Sequence, residues 1–144
     1  MNLENLTIQT LLSKYESKEV KPSEVFSACL DKIEKLNPKL NAFLEVHAEK
    51  TLSEAKTLDS KLSDAKSKKL FGIPIGVKDN FLVEGFKATA GSKILENYQS
   101  PFTASCMQKL HDHGALTIGK TNCDEFAMGS SNENSAFGNV LNPI

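Results

Sequence analysis

Lys78 carries the sharpest chemical signal in the sequence, because it follows the apolar run Ile73-Pro74-Ile75-Gly76-Val77 and leads directly into Asp79-Asn80. A short apolar run of this kind reads as a covered strand, and open α/β sheets bind their ligands at the carboxyl ends of parallel strands. Burial at such a place disfavours an ammonium ion, and the neutral amine that results is a competent base. The competing reading is a strand-end lysine that extends its head into water.

Three other combinations invite chemistry and are better explained as structure. Gly114-Ala115-Leu116-Thr117-Ile118-Gly119-Lys120-Thr121 satisfies the phosphate-loop spelling of two glycines followed by Lys-Thr. A phosphate loop follows a strand and turns its amides on the phosphates, whereas this interior is apolar, β-branched and preceded by a helical pattern. Gly114 is expected to cap a helix and Gly119 to end a strand. His111 and His113, two residues apart, point to different faces of a helix, and no Cys or acid four residues on completes a metal set. Asp124, Glu125 and Glu133 offer carboxylates for acid–base work, but neighbours in a short helix diverge, and Asp124 suits a helix N-terminus. No metal ligand and no cofactor-binding residue is assigned in this chain.

The elements that must position Lys78 follow from periodicity. Thr7 caps a short helix with Ile8, Leu11, Leu12 and Tyr15 on one face, and Pro22 opens a second with Val25, Phe26, Cys29, Leu30, Ile33 and Leu36 inward. That stripe is broad, so the helix is expected to be well buried and to end at Asn37-Pro38. A short extended piece, Ala42-Phe43-Leu44, precedes a third helix over 47–65, and a charge-rich linker covers 66–69. Residues 1–69 thus read as a helical segment. From Leu70 the grammar becomes α/β: a strand over 73–77, a polar passage to Gly91, a helical turn over 92–98, then a helix opened by Ser100-Pro101 and running over 103–113. Gly114 closes it, Ala115-Leu116-Thr117-Ile118 forms the next strand, and strand, helix, strand predicts a parallel crossover. Thr121 or Asn122 is expected to cap a short helix reaching Met128, and 129–144 shows no period. The fold class is α/β, with N-terminal helices followed by a mixed, helix-covered sheet whose core over 70–144 is expected to continue beyond Ile144.

The chain has 144 residues, 40% of them hydrophobic, enough for one real core. All seventeen basic residues are Lys, set against eighteen acids with the signs interspersed, so no electrostatic grip on nucleic acid is expected and the guanidinium fork is absent. Cys29, Cys106 and Cys123 are odd in number and widely spaced, which suits a reduced, cytoplasmic setting. Residues 1–5 lack the basic start of a signal peptide, and no stretch approaches a membrane span.

Residues 70–80, Leu70-Phe71-Gly72-Ile73-Pro74-Ile75-Gly76-Val77-Lys78-Asp79-Asn80, resemble the segment of the amidase signature family that bears its catalytic lysine. Residues 117–138 resemble the family's next block. Within it Asp124-Glu125-Phe126-Ala127-Met128-Gly129-Ser130-Ser131 and Glu133-Asn134-Ser135-Ala136-Phe137-Gly138 are similar to the A subunit of the glutamyl-tRNA(Gln) amidotransferases, and Gly91-Ser92-Lys93-Ile94-Leu95-Glu96-Asn97 agrees. The resemblance implies the amidase signature fold and a serine, cis-serine, lysine mechanism with Lys78 as the lysine. It implies glutamine as substrate, ammonia as product, and the amidotransferase B and C subunits as partners, one of which uses ATP and Mg to turn Glu-tRNA(Gln) into Gln-tRNA(Gln) and meets the tRNA. Both serines, the oxyanion loop and the glutamine-gripping residues fall beyond Ile144, and Ser130 and Ser131 are not those serines. This chain alone is therefore expected to be inactive. A non-catalytic assembly fragment and a general amidase are the alternatives. Cys123 stands where the family commonly has Met.

Overall fold

The structure, a computed structural model, describes residues 6–143; residues 1–5, read above as lacking the start of a signal peptide, and Ile144 lie outside them. Helix α1 (Ile8–Glu16) starts where expected, because Thr7 and Thr10 exchange side-chain to backbone hydrogen bonds in a capping box. Its inward face is carried by Leu11 and Tyr15, while Ile8 stays exposed.

Helix α2 (Pro22–Leu40) runs past the expected stop. Pro38 sits in its last turn, where a missing N–H forfeits a single helical bond, and the helix ends instead at Asn41 in the left-handed region, φ 53°. Asn37 does not terminate the helix but reaches across to strand β1 (Phe43–Glu45): its Nδ2 donates to the Phe43 carbonyl at 2.9 Å, and the Phe43 N–H donates to its Oδ1 at 2.7 Å. The stripe is also less covered than its breadth suggested. Val25 and Phe26 are buried, whereas Cys29, Leu30, Ile33 and Leu36 are half-buried, the first three packed against the cluster of Phe26, Ala55 and Ile118. There Cys29, Ile33, Leu36, Leu40, Phe43 and Ile118 line an apolar groove of about 300 Å³.

The helix expected over 47–65 is two pieces. Helix α3 (Ala48–Asp59) stops, and a 3-10 turn (Leu62–Lys66) follows. Thr57 and Ser60 hydroxyls donate back to the carbonyls of Glu54 and Thr57, local bonds that compete with helix continuation.

Strand β2 (Pro74–Lys78) is succeeded by a 3-10 turn (Lys93–Leu95) capped by Ser92, then by helix α4 (Ser105–Asp112) and strand β3 (Leu116–Thr121). The sheet order is β1-β3-β2, with β2 parallel and β1 antiparallel to β3. Helix α4 begins later than Ser100-Pro101, because the Ser100 N–H is committed to the Phe86 carbonyl and its hydroxyl to the Phe102 carbonyl. Gly114, φ +94°, follows α4 as a cap residue should. The helix expected to reach Met128 is only a 3-10 turn (Glu125–Ala127) with Phe126 and Ala127 at positive φ, and neither Thr121 nor Asn122 caps it.

Residues on both sides of position 70 share their cores. One cluster joins Leu11, Tyr15, Val25 and Ala65 to Phe71 and Ile73, with the Tyr15 and Phe71 rings edge to face at 6.2 Å. Another sets Phe26 and Ala55 against Ile118. Burying an aromatic or branched side chain of this size contributes about 1.5–3 kcal/mol, so these clusters fix the helices against the sheet that carries Lys78.

Candidate functional site

Lys78 is the last residue of β2, level with Thr121 on β3, so it stands at the carboxyl ends of the two parallel strands. Val77 is buried and Lys78 exposed, the alternation that a strand imposes. Its ammonium makes no hydrogen bond or ion pair with another described residue. The burial expected at this strand end is thus not supplied by the described residues.

The surroundings of Lys78 are built from two loops. Thr89, Ala90, Gly91 and Ser92 form the first, with Ala90 and Gly91 in the left-handed region. The second, over 122–138, is stitched to it: the Phe126 N–H donates to the Ala90 carbonyl at 2.7 Å, the Ala136 N–H donates to the Gly91 carbonyl at 2.8 Å, and the Ser92 hydroxyl donates to Glu125 Oε1 at 2.5 Å. A Cβ at Gly91 would lie 2.4 Å from the Cys123 carbonyl oxygen, so this crossing of chains requires glycine.

Asp124 organises the second loop rather than a helix start. Its carboxylate accepts from the backbone N–H groups of Asn134 and Asn132, both at 2.9 Å. The Asn134 bond, with the Asn132 bond and the nearby Lys78 charge adding to it, holds this carboxyl below the usual Asp range. Burial raises the Cys123 thiol, as does the Asp79 charge, and Lys78 opposes them. Lys78, Cys123 and Asp124 are therefore electrostatic neighbours, which sequence spacing alone did not show.

The phosphate-loop spelling dissolves in the structure. Gly119 and Lys120 lie within β3, where a Cβ on Gly119 would meet the Glu45 carbonyl oxygen at 2.6 Å, and the Lys120 side chain is wholly buried. Its Nζ donates to the carbonyls of Phe81 and Lys87, both at 2.8 Å, and lies 3.4 Å from Asp79 Oδ1. This pair was missed because the strand was read as ending at Ile118. The available signal was a lone lysine continuing one strand in parallel register with an acid just past the end of the other.

The remaining candidates take structural roles. His111 packs its ring against Thr117, Nε2 to Oγ1 2.9 Å, and burial lowers its affinity for a proton. His113 is the residue after α4. The Ser131 hydroxyl donates to Glu133 on the exposed loop. Among the described residues no group of three or more His, Cys, Asp and Glu is placed to hold a metal ion, the cysteines are unpaired, and no helix is long and apolar enough to cross a membrane.

The amidase family model matches residues 24–144, which include β2, Lys78 and both loops. The chain belongs to the amidase family. This amidase-family chain is similar to the A subunit of the glutamyl-tRNA(Gln) amidotransferase of Pelobacter propionicus, 47% identical over 143 residues, spanning 99% of the chain and 30% of that relative. Among solved structures it resembles the A subunit of the same type of amidotransferase from Thermotoga maritima, at 36% identity and TM-score 0.77, covering 99% of the chain and 29% of that protein. It also resembles the native peptide amidase of Stenotrophomonas maltophilia, at 30% identity and TM-score 0.86, covering 97% of the chain and 30% of that enzyme. The α/β architecture with a mixed sheet is that of the amidase fold, and the chain spans about a third of the length of these relatives.

Proposed function

We propose that this chain is the lysine-bearing N-terminal portion of a glutaminase subunit of the tRNA-dependent amidotransferase type. The observation that carries the reading is Lys78 itself: a strand-end lysine, exposed and uncommitted, inside the matched segment of a chain 47% identical to an amidotransferase A subunit over 143 residues. Peptide amidase shares the fold at lower identity, which favours the amidotransferase reading over a general amidase.

In this reading a serine supplied by the rest of the protein attacks the side-chain amide carbon of glutamine. Its proton passes through a second, bridging serine to the Lys78 amine, and returns to the departing nitrogen as ammonia leaves. A lysine serves as base only where its charged form is disfavoured, so the remainder of the protein covers Lys78 and removes water from it. Backbone amides of a glycine- and serine-rich loop in that remainder hold the oxyanion. Ammonia then reaches a partner: the B and C subunits complete the assembly, the ATP and Mg chemistry and the tRNA contact belong to the partner, and the setting is the cytoplasm.

The test joins residues 1–144 to the part of the Pelobacter propionicus A subunit that lies beyond the match, and measures ammonia release from glutamine. The joined protein is expected to be active and residues 1–144 alone inactive, since a base without a nucleophile has nothing to activate. Ammonia release by residues 1–144 alone, lost in Lys78→Ala, would refute the division of labour.

A further inference from the structure

We propose that Lys120 and Asp79 form a buried clamp whose role is to position Lys78, by locking the loop that begins immediately after it. The inference rests on the reading of Lys78 given above. Lys120 does not approach Lys78 through its own side chain. It is level with the buried Val77, on the covered face of the sheet, whereas Lys78 is exposed. It acts through the backbone.

Two N–H bonds of the ammonium go to the carbonyls of Phe81 and Lys87, and Asp79 Oδ1 lies 3.4 Å away as its ion-pair partner. Phe81 and Lys87 stand near the two ends of the loop, so one cation draws both ends to one point under the sheet. Asp79 completes the closure. Its Oδ2 accepts from the Thr89 N–H at 3.0 Å and from the Thr89 hydroxyl, its own N–H donates to the Thr121 carbonyl at 2.9 Å, and its carbonyl accepts from Ala90. The Phe81 N–H in turn donates to the carbonyl of Lys78 at 2.9 Å. Lys78 is thereby held between a strand on one side and a cross-braced turn on the other.

Stability alone does not call for this arrangement. Buried ion pairs are frequently replaceable by apolar residues of similar volume without loss, because desolvating two charges offsets their attraction. Burial lowers the proton affinity of Lys120 and Asp79 opposes that shift, as expected of a cation retained at a cost. What the ammonium does, and an apolar side chain of equal length does not, is tie two carbonyls together.

The experiment compares hydrogen exchange and the Lys78 side-chain 13Cε resonance in the unaltered chain, in Lys120→Met, and in the double variant Asp79→Asn with Lys120→Met. The double variant leaves no unpaired buried charge and keeps the fold testable where the single variant fails to fold. Thr89→Val, which removes one donor to Asp79 and keeps both charges, is the mild case. The clamp predicts that amides of Phe81, Thr89 and Ala90 exchange at least about tenfold faster in the double variant, with the middles of α1 and α2 changing by less than about threefold. The Lys78 resonance should shift or broaden in the double variant, and less in Thr89→Val. A double variant with unchanged loop exchange and an unchanged Lys78 resonance overturns the proposal, as does a uniform rise in exchange over helices and loop alike. Failure of the catalytic reading registers elsewhere, as amide hydrolysis surviving Lys78→Ala in the joined protein, and leaves these exchange results standing.

Discussion

Replacing Tyr15 by Phe tests the joint between the helical half and the sheet, and the pH dependence of its effect follows from the structure. Tyr15 is fully buried, and its hydroxyl donates to the Gly72 carbonyl at 2.9 Å, two residues before β2 begins. At neutral pH the substitution removes one buried hydrogen bond and costs about 1 kcal/mol. Burial, then the Cys29 and Asp59 charges, raise the phenol well above its ordinary 10.0. The folded proton affinity thus exceeds the unfolded one, so this contribution is fully present below pH 10 and is lost as pH rises beyond it. The loss is about 1.4 kcal/mol for each pH unit above that point, as the unfolded chain ionises and the folded one does not. The advantage over Tyr15→Phe should therefore vanish near about pH 11, while Tyr98 is common to both chains. Urea unfolding followed by circular dichroism at about pH 8 and about pH 11 measures it. A difference that stays constant between the two conditions would refute the assignment of a buried, protonated Tyr15 as the bridge.

Three further outcomes follow. Gly91→Ala places a Cβ against the Cys123 carbonyl oxygen and at φ +68°, so it should destabilise by about 2 kcal/mol or more and loosen both loops; wild-type melting would contradict the crossing described. Asp124 has its proton affinity lowered in the fold, so its contribution is present above the ordinary value of 3.8 and lost as pH falls through the lowered one. Amide protection at Asn132 and Asn134 should accordingly fade on acidification before that of α2, and Asp124→Asn should abolish this pH dependence. ATP titrated calorimetrically into the chain should show no binding at 114–121, because the Lys120 ammonium is enclosed; micromolar binding lost in Lys120→Ala would contradict this.

The sequence made the strand at Ile73 to Val77 and the end position of Lys78 legible, because apolar runs and their breaks report local structure directly. The Thr7 cap and the Gly114 turn were legible for the same reason. Helix ends were less so. Pro38 was read as a stop, yet its neighbour Asn37 gains its partners from β1, six residues on, and Ser60 breaks a helix through hydroxyl bonds that periodicity ignores. The clamp was hidden because its members, Asp79 and Lys120, meet only when two strands lie in parallel register. The loops around Lys78 follow no period, since Asp124 organises them through amides eight and ten residues away. The exposure of Lys78 could not be read at all from composition. It is visible only at the end of β2.

The role of Lys78 is decided by ammonia release from glutamine, measured on residues 1–144 joined to the remainder of the Pelobacter propionicus A subunit and on the same protein carrying Lys78→Ala. With Lys78 as the base, hydrolysis falls by about a thousandfold or more, the loss typical of removing one member of a proton-relaying triad, while amide protection across α2 and β3 is retained. Hydrolysis that persists within about tenfold in a folded Lys78→Ala protein would show that Lys78 is not the base.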